Sequence, residues 1–123
     1  MQILFEDEFI KIEREPHELP WVKIFTKTAF KELSDCDELS RARLFEVMLI
    51  AEREMIKFYK PAKINIASFG NILPQVHIHV IARFKNDEFF PQSVWGERQR
   101  KSSVVLPNFD EFAKRLQDKL NEK

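Results

Sequence analysis

The segment NILPQVHIHVIARF, residues 71–84, sets His77 and His79 one residue apart in an apolar run that follows Gln75. In an extended strand, successive side chains point to opposite faces. Val76, Ile78, Val80 and Ala82 then share one face, and Gln75, His77, His79 and Ile81 share the other. Two residue rises separate the imidazoles by about 6.6 Å along the strand. Three uses fit such a pair. In the first, each ring is simply a hydrogen-bonded residue of a half-buried strand. In the second, both chelate zinc, but stable zinc sites take three or four protein ligands. The remaining histidine, His17, lies in a loop with no cysteine or carboxylate pattern beside it. In the third, one imidazole attacks phosphorus and forms a phosphoramidate. Histidine suits that role because its neutral form is available near neutrality. An acceptor must then hold its other ring nitrogen, while nearby amides and imidazoles bind the phosphate oxygens.

The elements that would position this row follow from local pattern. ILFEDEFIKIERE predicts two short strands around Glu6-Asp7-Glu8, and WVKIFTK predicts a third, rich in aromatic and β-branched residues. Pro16 and Pro20 mark PHELP as a loop. From Ser34 a long helix is predicted, with Ser34 and Asp37 as a capping box and Pro61 as its stop. Leu44, Val47, Met48, Ala51, Met55 and Phe58 form its apolar stripe, a core face. KINIASF reads as a fourth strand with Ile64 and Ile66 inward. Antiparallel pairing with the histidine strand would bring Asn65 near His77 and His79. A last helix, about 108–121, starts at Asn108 and keeps Phe109, Phe112, Ala113, Leu116 and Leu120 at helical spacing. Between them lies FKNDEFFPQSVWGERQRKSS, the longest stretch without an element, a kind of loop that is often functional. Trp95, beside Gly96, faces substrate in one reading of this loop and fills the core beneath a solvated charge run in the other. Arg98, Arg100 and Lys101 follow it as a small basic cluster.

The totals bound the function. A chain of 123 residues predicts one domain over 1–123. Twenty basic residues balance twenty acidic ones, so no global field favours nucleic acid or an acidic membrane, and neither is expected as a partner. Any phosphate recognition must be local. One cysteine, Cys36, forms no internal disulfide and fits a reducing compartment as a bystander thiol. No basic region followed by an apolar stretch opens the chain, and no apolar run approaches the roughly 20 residues of a membrane span. A cytoplasmic location is expected.

QVHIHV resembles the signature of the histidine triad (HIT) superfamily, His-φ-His-φ-His-φ-φ with φ apolar. The opening hairpin, PWVKIFTK, KINIASFGN and the Pro…VWG stretch resemble family elements in order over residues 1 to about 100, most nearly a bacterial subgroup with Pro-Gln-φ-His-x-His. The resemblance implies an α+β fold: about five antiparallel strands, one long helix packed on the sheet and a C-terminal helix. It implies attack by the middle histidine, His77, on the α-phosphate of a nucleoside phosphoramidate or dinucleoside polyphosphate, through a nucleotidyl-histidine intermediate. His79 matches the third triad position, and Gln75 replaces the first. Asn71 falls where the family has a phosphate-contacting Gln, and Asn65 at its polar position on the preceding strand. Glu15 falls near the acidic residue that binds ribose hydroxyls, and Phe5 is a candidate wall of the base pocket. No cofactor is implied, beyond a divalent metal arriving with a polyphosphate substrate. A homodimer with a shared ten-stranded sheet is implied. Gln75 can donate to phosphate but cannot carry a proton to a leaving group. The uridylyltransferase branch, with Gln at the third position instead, transfers nucleotidyl groups, so transfer stands beside hydrolysis. A nucleotide-binding module without turnover, a sensor or scaffold, is the alternative.

Overall fold

The computed structural model describes residues 2–122. Five strands, β1 (Ile3–Glu6), β2 (Ile10–Arg14), β3 (Trp21–Thr26), β4 (Lys63–Ala67) and β5 (His77–Arg83), form one antiparallel sheet in the order β1-β2-β3-β5-β4. Asp7 turns the first hairpin: its carboxylate accepts from the amides of Phe9 and Ile10 at 2.8 and 2.9 Å. Helix α1 (Glu38–Tyr59) packs on β2, β3 and β5, and α2 (Phe109–Leu120) packs on α1 and β1. This is the α+β architecture that the sequence predicts.

Alternation divides the sheet. Ile10 and Ile12 of β2, Val22 and Ile24 of β3 and Ile78, Val80 and Ala82 of β5 join Leu44, Val47, Ala51 and Met55 of α1 in the main core. Completely burying one such side chain contributes about 1.5–3 kcal/mol, which pins the register of β5. A slip of one residue would drive both histidines under the helix. The opposite face is packed by neither helix: Phe25, His77 and His79 lie there nearly buried, lining a cleft, and Leu19, Trp21 and Ile81 form a small cluster beneath the 84–108 loop.

Three predicted details change. The helix begins at Asp37 rather than Ser34, because the Asp37 carboxylate takes the Ser40 amide at 3.2 Å. Leu33–Asp35 is a separate 3-10 turn with its own capping box between Glu32 and Asp35. Ile66 lies on the helix side of the sheet, but on edge strand β4, beyond the strands that α1 mainly covers, and is 41 % exposed. At its far end α1 stops on Lys60 in the left-handed conformation (φ 49°), followed by Pro61. No helix among the described residues is long and apolar enough to cross a membrane.

Candidate active site

The ladder between β3 and β5 builds the site. It pairs Phe25 with His77, Lys23 with His79 and Trp21 with Ile81. Paired residues share a face, so a hydrophobic-and-basic row on β3 lies beside the histidine row on the helix-free side of the sheet.

Each imidazole is locked in a different tautomer. The Nδ1 of His77 is 2.8 Å from the main-chain carbonyl of Gln75. A carbonyl only accepts, so Nδ1 carries the hydrogen and a neutral His77 presents a bare lone pair at Nε2. Phe25 stacks on this ring, centroids 4.9 Å apart and planes 21° from parallel. For His79 the partner is the indole of Trp21, whose Nε1–H donates to Nδ1 at 3.0 Å. Indole only donates, so Nδ1 of His79 is the acceptor and its Nε2 carries the hydrogen. Burial, then the neighbouring His77 and Lys23, push the His79 pKa down to about 4, against a small opposing effect of Glu15. His79 is therefore a neutral N–H donor at neutral pH. The two rings stand 5.0 Å apart, one offering a lone pair and the other a proton to hydrogen-bond.

This lowered value has a sign that can be measured. Between the ordinary 6.5 and about 4, the unfolded chain takes up a proton that folded His79 refuses. The contribution is complete above about pH 6.5 and is lost as pH falls toward about 4. Thermal unfolding from pH 7 to 4 should therefore drop less steeply for His79→Gln than for the native chain. Parallel curves would show that His79 titrates normally.

Both histidines open into a cleft of about 420 Å³. Trp95 closes one side, its ring 5.2 Å from His79, 5.4 Å from Trp21 and 4.9 Å from Phe69. The loop after β4 forms the lip, turning at Gly70 (φ 72°) to set Asn71 at the rim. On the β3 side Glu15 and Lys23 line the cleft as an ion pair, Oε1 to Nζ 3.3 Å.

The structure thus brings His77, His79, Asn71, Glu15 and Trp95 to one place. Three expected residues are not brought there. The Gln75 side chain turns to Thr26, whose carbonyl accepts from Nε2 at 3.3 Å; what Gln75 gives His77 is its main-chain carbonyl. Asn65 shares the helix-free face, but its Oδ1 accepts from Arg83 at 2.7 Å, opposite Ile81 rather than a histidine. Phe5 sits on the far edge strand and packs against the main core. Trp21, Lys23, Phe25 and Phe69 were the residues missed. Alternation in WVKIFT, once paired with HIHVI, would have placed the first three. Among the described residues no three of His, Cys, Asp or Glu converge as a metal-binding group. His17 accepts the Leu19 amide through Nδ1 at 3.0 Å and packs on Trp21. Cys36 is buried, which raises its thiol pKa and leaves it an inert core residue.

The fold and these side chains define a class: an antiparallel sheet presenting one free imidazole nitrogen and one imidazole N–H to a single aromatic-walled cleft. The HIT domain family model matches residues 3–86, and the chain belongs to that family. It is similar to the crystal structure of a histidine triad protein from Bradyrhizobium japonicum, at 28% identity, a TM-score of 0.79 and coverage of 96% of this chain and 89% of the other. A histidine triad protein from Sinorhizobium meliloti 1021 is 30% identical with a TM-score of 0.73, covering 94% and 87%. One from Marinobacter aquaeolei VT8 shares the fold at 23% identity and a TM-score of 0.71, covering 98% and 85%. No curated protein matches the chain.

Proposed function

We propose that this protein hydrolyses, or transfers, at the α-phosphate of a small nucleotide, either a nucleoside phosphoramidate or a dinucleoside polyphosphate. The observation that carries the reading is the opposed tautomers: a free Nε2 on His77 beside an Nε2–H on His79. The His77 lone pair forms a bond to phosphorus as the bond to the leaving group breaks with its electron pair, and the leaving group takes a proton from solvent. Water, or another acceptor in a transfer, then displaces the nucleotide and restores His77. His79 donates to a phosphoryl oxygen as charge builds on it, and Asn71 at the rim supplies a further amide. Glu15 takes ribose hydroxyls, and Trp95 with Phe69 supplies an apolar wall for the base. A divalent metal enters only with a polyphosphate substrate. The test is release of mononucleotide from each substrate class, with and without magnesium.

One observation favours binding without turnover. Gln75 stands where a third histidine would carry a proton, and its side chain is engaged with Thr26. A protein that binds mononucleotide yet releases none from either substrate class would be that sensor.

The reading includes a cytoplasmic homodimer, with neither nucleic acid nor membrane as partner. Phe45, Leu49 and Ile56 of α1 and Ile66 of β4 are exposed, and β4 is an edge strand with unpaired main-chain groups. A second copy would cover both. Light scattering at micromolar concentration should return roughly twice the 14.7 kDa chain mass; a clean monomer would remove the dimer.

A further inference from the structure

Lys23 sits across the ladder from His79 and lines the cleft with both histidines. Its side chain is only 12 % exposed, and lysines are seldom so buried without a partner. The partner is Glu15, 3.3 Å away. The ammonium also lies 5.9 Å from the centre of the Phe25 ring, the same ring that stacks on His77. Imidazoles aside, Lys23 and Glu15 are the two ionisable residues lining a cleft whose walls are otherwise aromatic, aliphatic or amide. Such a pair returns little stability for its desolvation, and apolar replacement of a buried ion pair is often neutral or stabilising. A cation kept there beside a nucleophile points to a ligand with negative charge.

We propose that Lys23 is a substrate-binding residue for the transferred phosphoryl group, its ammonium leaving Glu15 for a phosphoryl oxygen when the nucleotide enters. This rests on the nucleotide reading of the cleft. In the empty site Glu15 holds the ammonium in place, which lowers the cost of carrying it. Lys23 is the one lysine or arginine among the described lining residues, so it can meet one phosphoryl oxygen, and the Glu15 carboxylate beside it leaves the pair no surplus positive charge. That favours a singly charged phosphoryl centre, as in a nucleoside phosphoramidate, over a polyphosphate chain that comes without a cation.

The test separates phosphate from nucleoside. Calorimetry on the native chain and its variants, with adenosine and guanosine and their 5′-monophosphates, gives the affinity gained by adding the phosphate. In Lys23→Met that gain, taken against the variant's own nucleoside affinity, should fall by at least about tenfold, the worth of a charge-assisted hydrogen bond. Lys23→Arg should keep most of the gain. Glu15→Gln should enlarge it, because the ammonium no longer has to leave a carboxylate. An unchanged gain in Lys23→Met, or a reduced one in Glu15→Gln, overturns the proposal and leaves the nucleotide reading standing. Equal loss of nucleoside and monophosphate in Lys23→Met makes the residue structural and overturns it too. A native chain that binds neither ligand removes both readings. In turnover, kcat/KM for a nucleoside phosphoramidate should exceed that for a metal-free dinucleoside polyphosphate; the reverse order overturns the charge assignment.

Discussion

His77→Asn should bind a nucleotide about as well as the native chain and turn it over at least a thousandfold more slowly, roughly 4 kcal/mol of barrier. The asparagine keeps a polar side chain of similar reach on β5 but has no lone pair able to attack phosphorus. Its neighbours Val76 and Ile78 remain anchored in the core, so the strand should not shift. His79→Asn should be impaired less, since it leaves the nucleophile and its Gln75 carbonyl partner intact. The native chain, quenched during turnover, should carry an acid-labile nucleotidyl group on the peptide containing His77. A label on His79, or normal turnover by His77→Asn, would sink the mechanism. Trp21→Phe offers a finer check on the tautomer argument. It frees His79 Nδ1, so the ring can flip its hydrogen away from substrate.

The strands and helices were legible because each carries a single period that tertiary packing reinforces. The β5 alternation also foretold which face would hold the histidines, since one face had to be buried. What alternation along one strand cannot give is the neighbour across the ladder. Trp21 and Phe25 orient the two imidazoles, yet they come from a strand more than fifty residues away, and in isolation they read as ordinary β-formers. Asn65 shows the converse. Alternation gives its face, but a register offset puts Ala67, not Asn65, opposite His79, and Arg83 claims its side chain. The residue type at 75 points to its side chain, whereas its position matters to His77 through the carbonyl that every residue carries. For Ile66, periodicity shows which side of a sheet a residue faces, not whether a helix reaches that strand.

The 84–108 loop was the least legible part, because it is held by one buried ion pair rather than by a period. Arg83, 1 % exposed, and Asp87, fully buried, meet in a fork, Nε to Oδ2 at 3.0 Å and Nη2 to Oδ1 at 3.1 Å. The guanidinium also donates to Asn65 Oδ1 and to the Gln92 carbonyl, each at 2.7 Å. The carboxylate accepts the amides of Phe84, Phe89 and Phe90 at 2.8–3.0 Å. Burial alone would raise the Asp87 pKa, but Arg83 and these amides hold it below the usual carboxylate value. Arg100 adds donations to the Asp87 and Phe90 carbonyls, so this member of the predicted basic cluster is structural. Through Gln92, which also takes the Glu97 amide on Oε1 at 2.9 Å, the network fixes the turn that carries Trp95 over His79. Asp87→Ala would leave a buried guanidinium uncompensated and three amides unmet. A loss of about 3–5 kcal/mol in unfolding free energy is expected, read from denaturant melts. Asp87→Asn should lose less, because an amide oxygen can still accept from Arg83. Where Asp87→Ala still folds, Trp95 should lose its seat against Trp21 and Phe69, shifting the indole emission and weakening nucleotide binding together. A variant as stable as the native chain, with unchanged emission, would mean that the ion pair holds neither the loop nor the wall of the cleft.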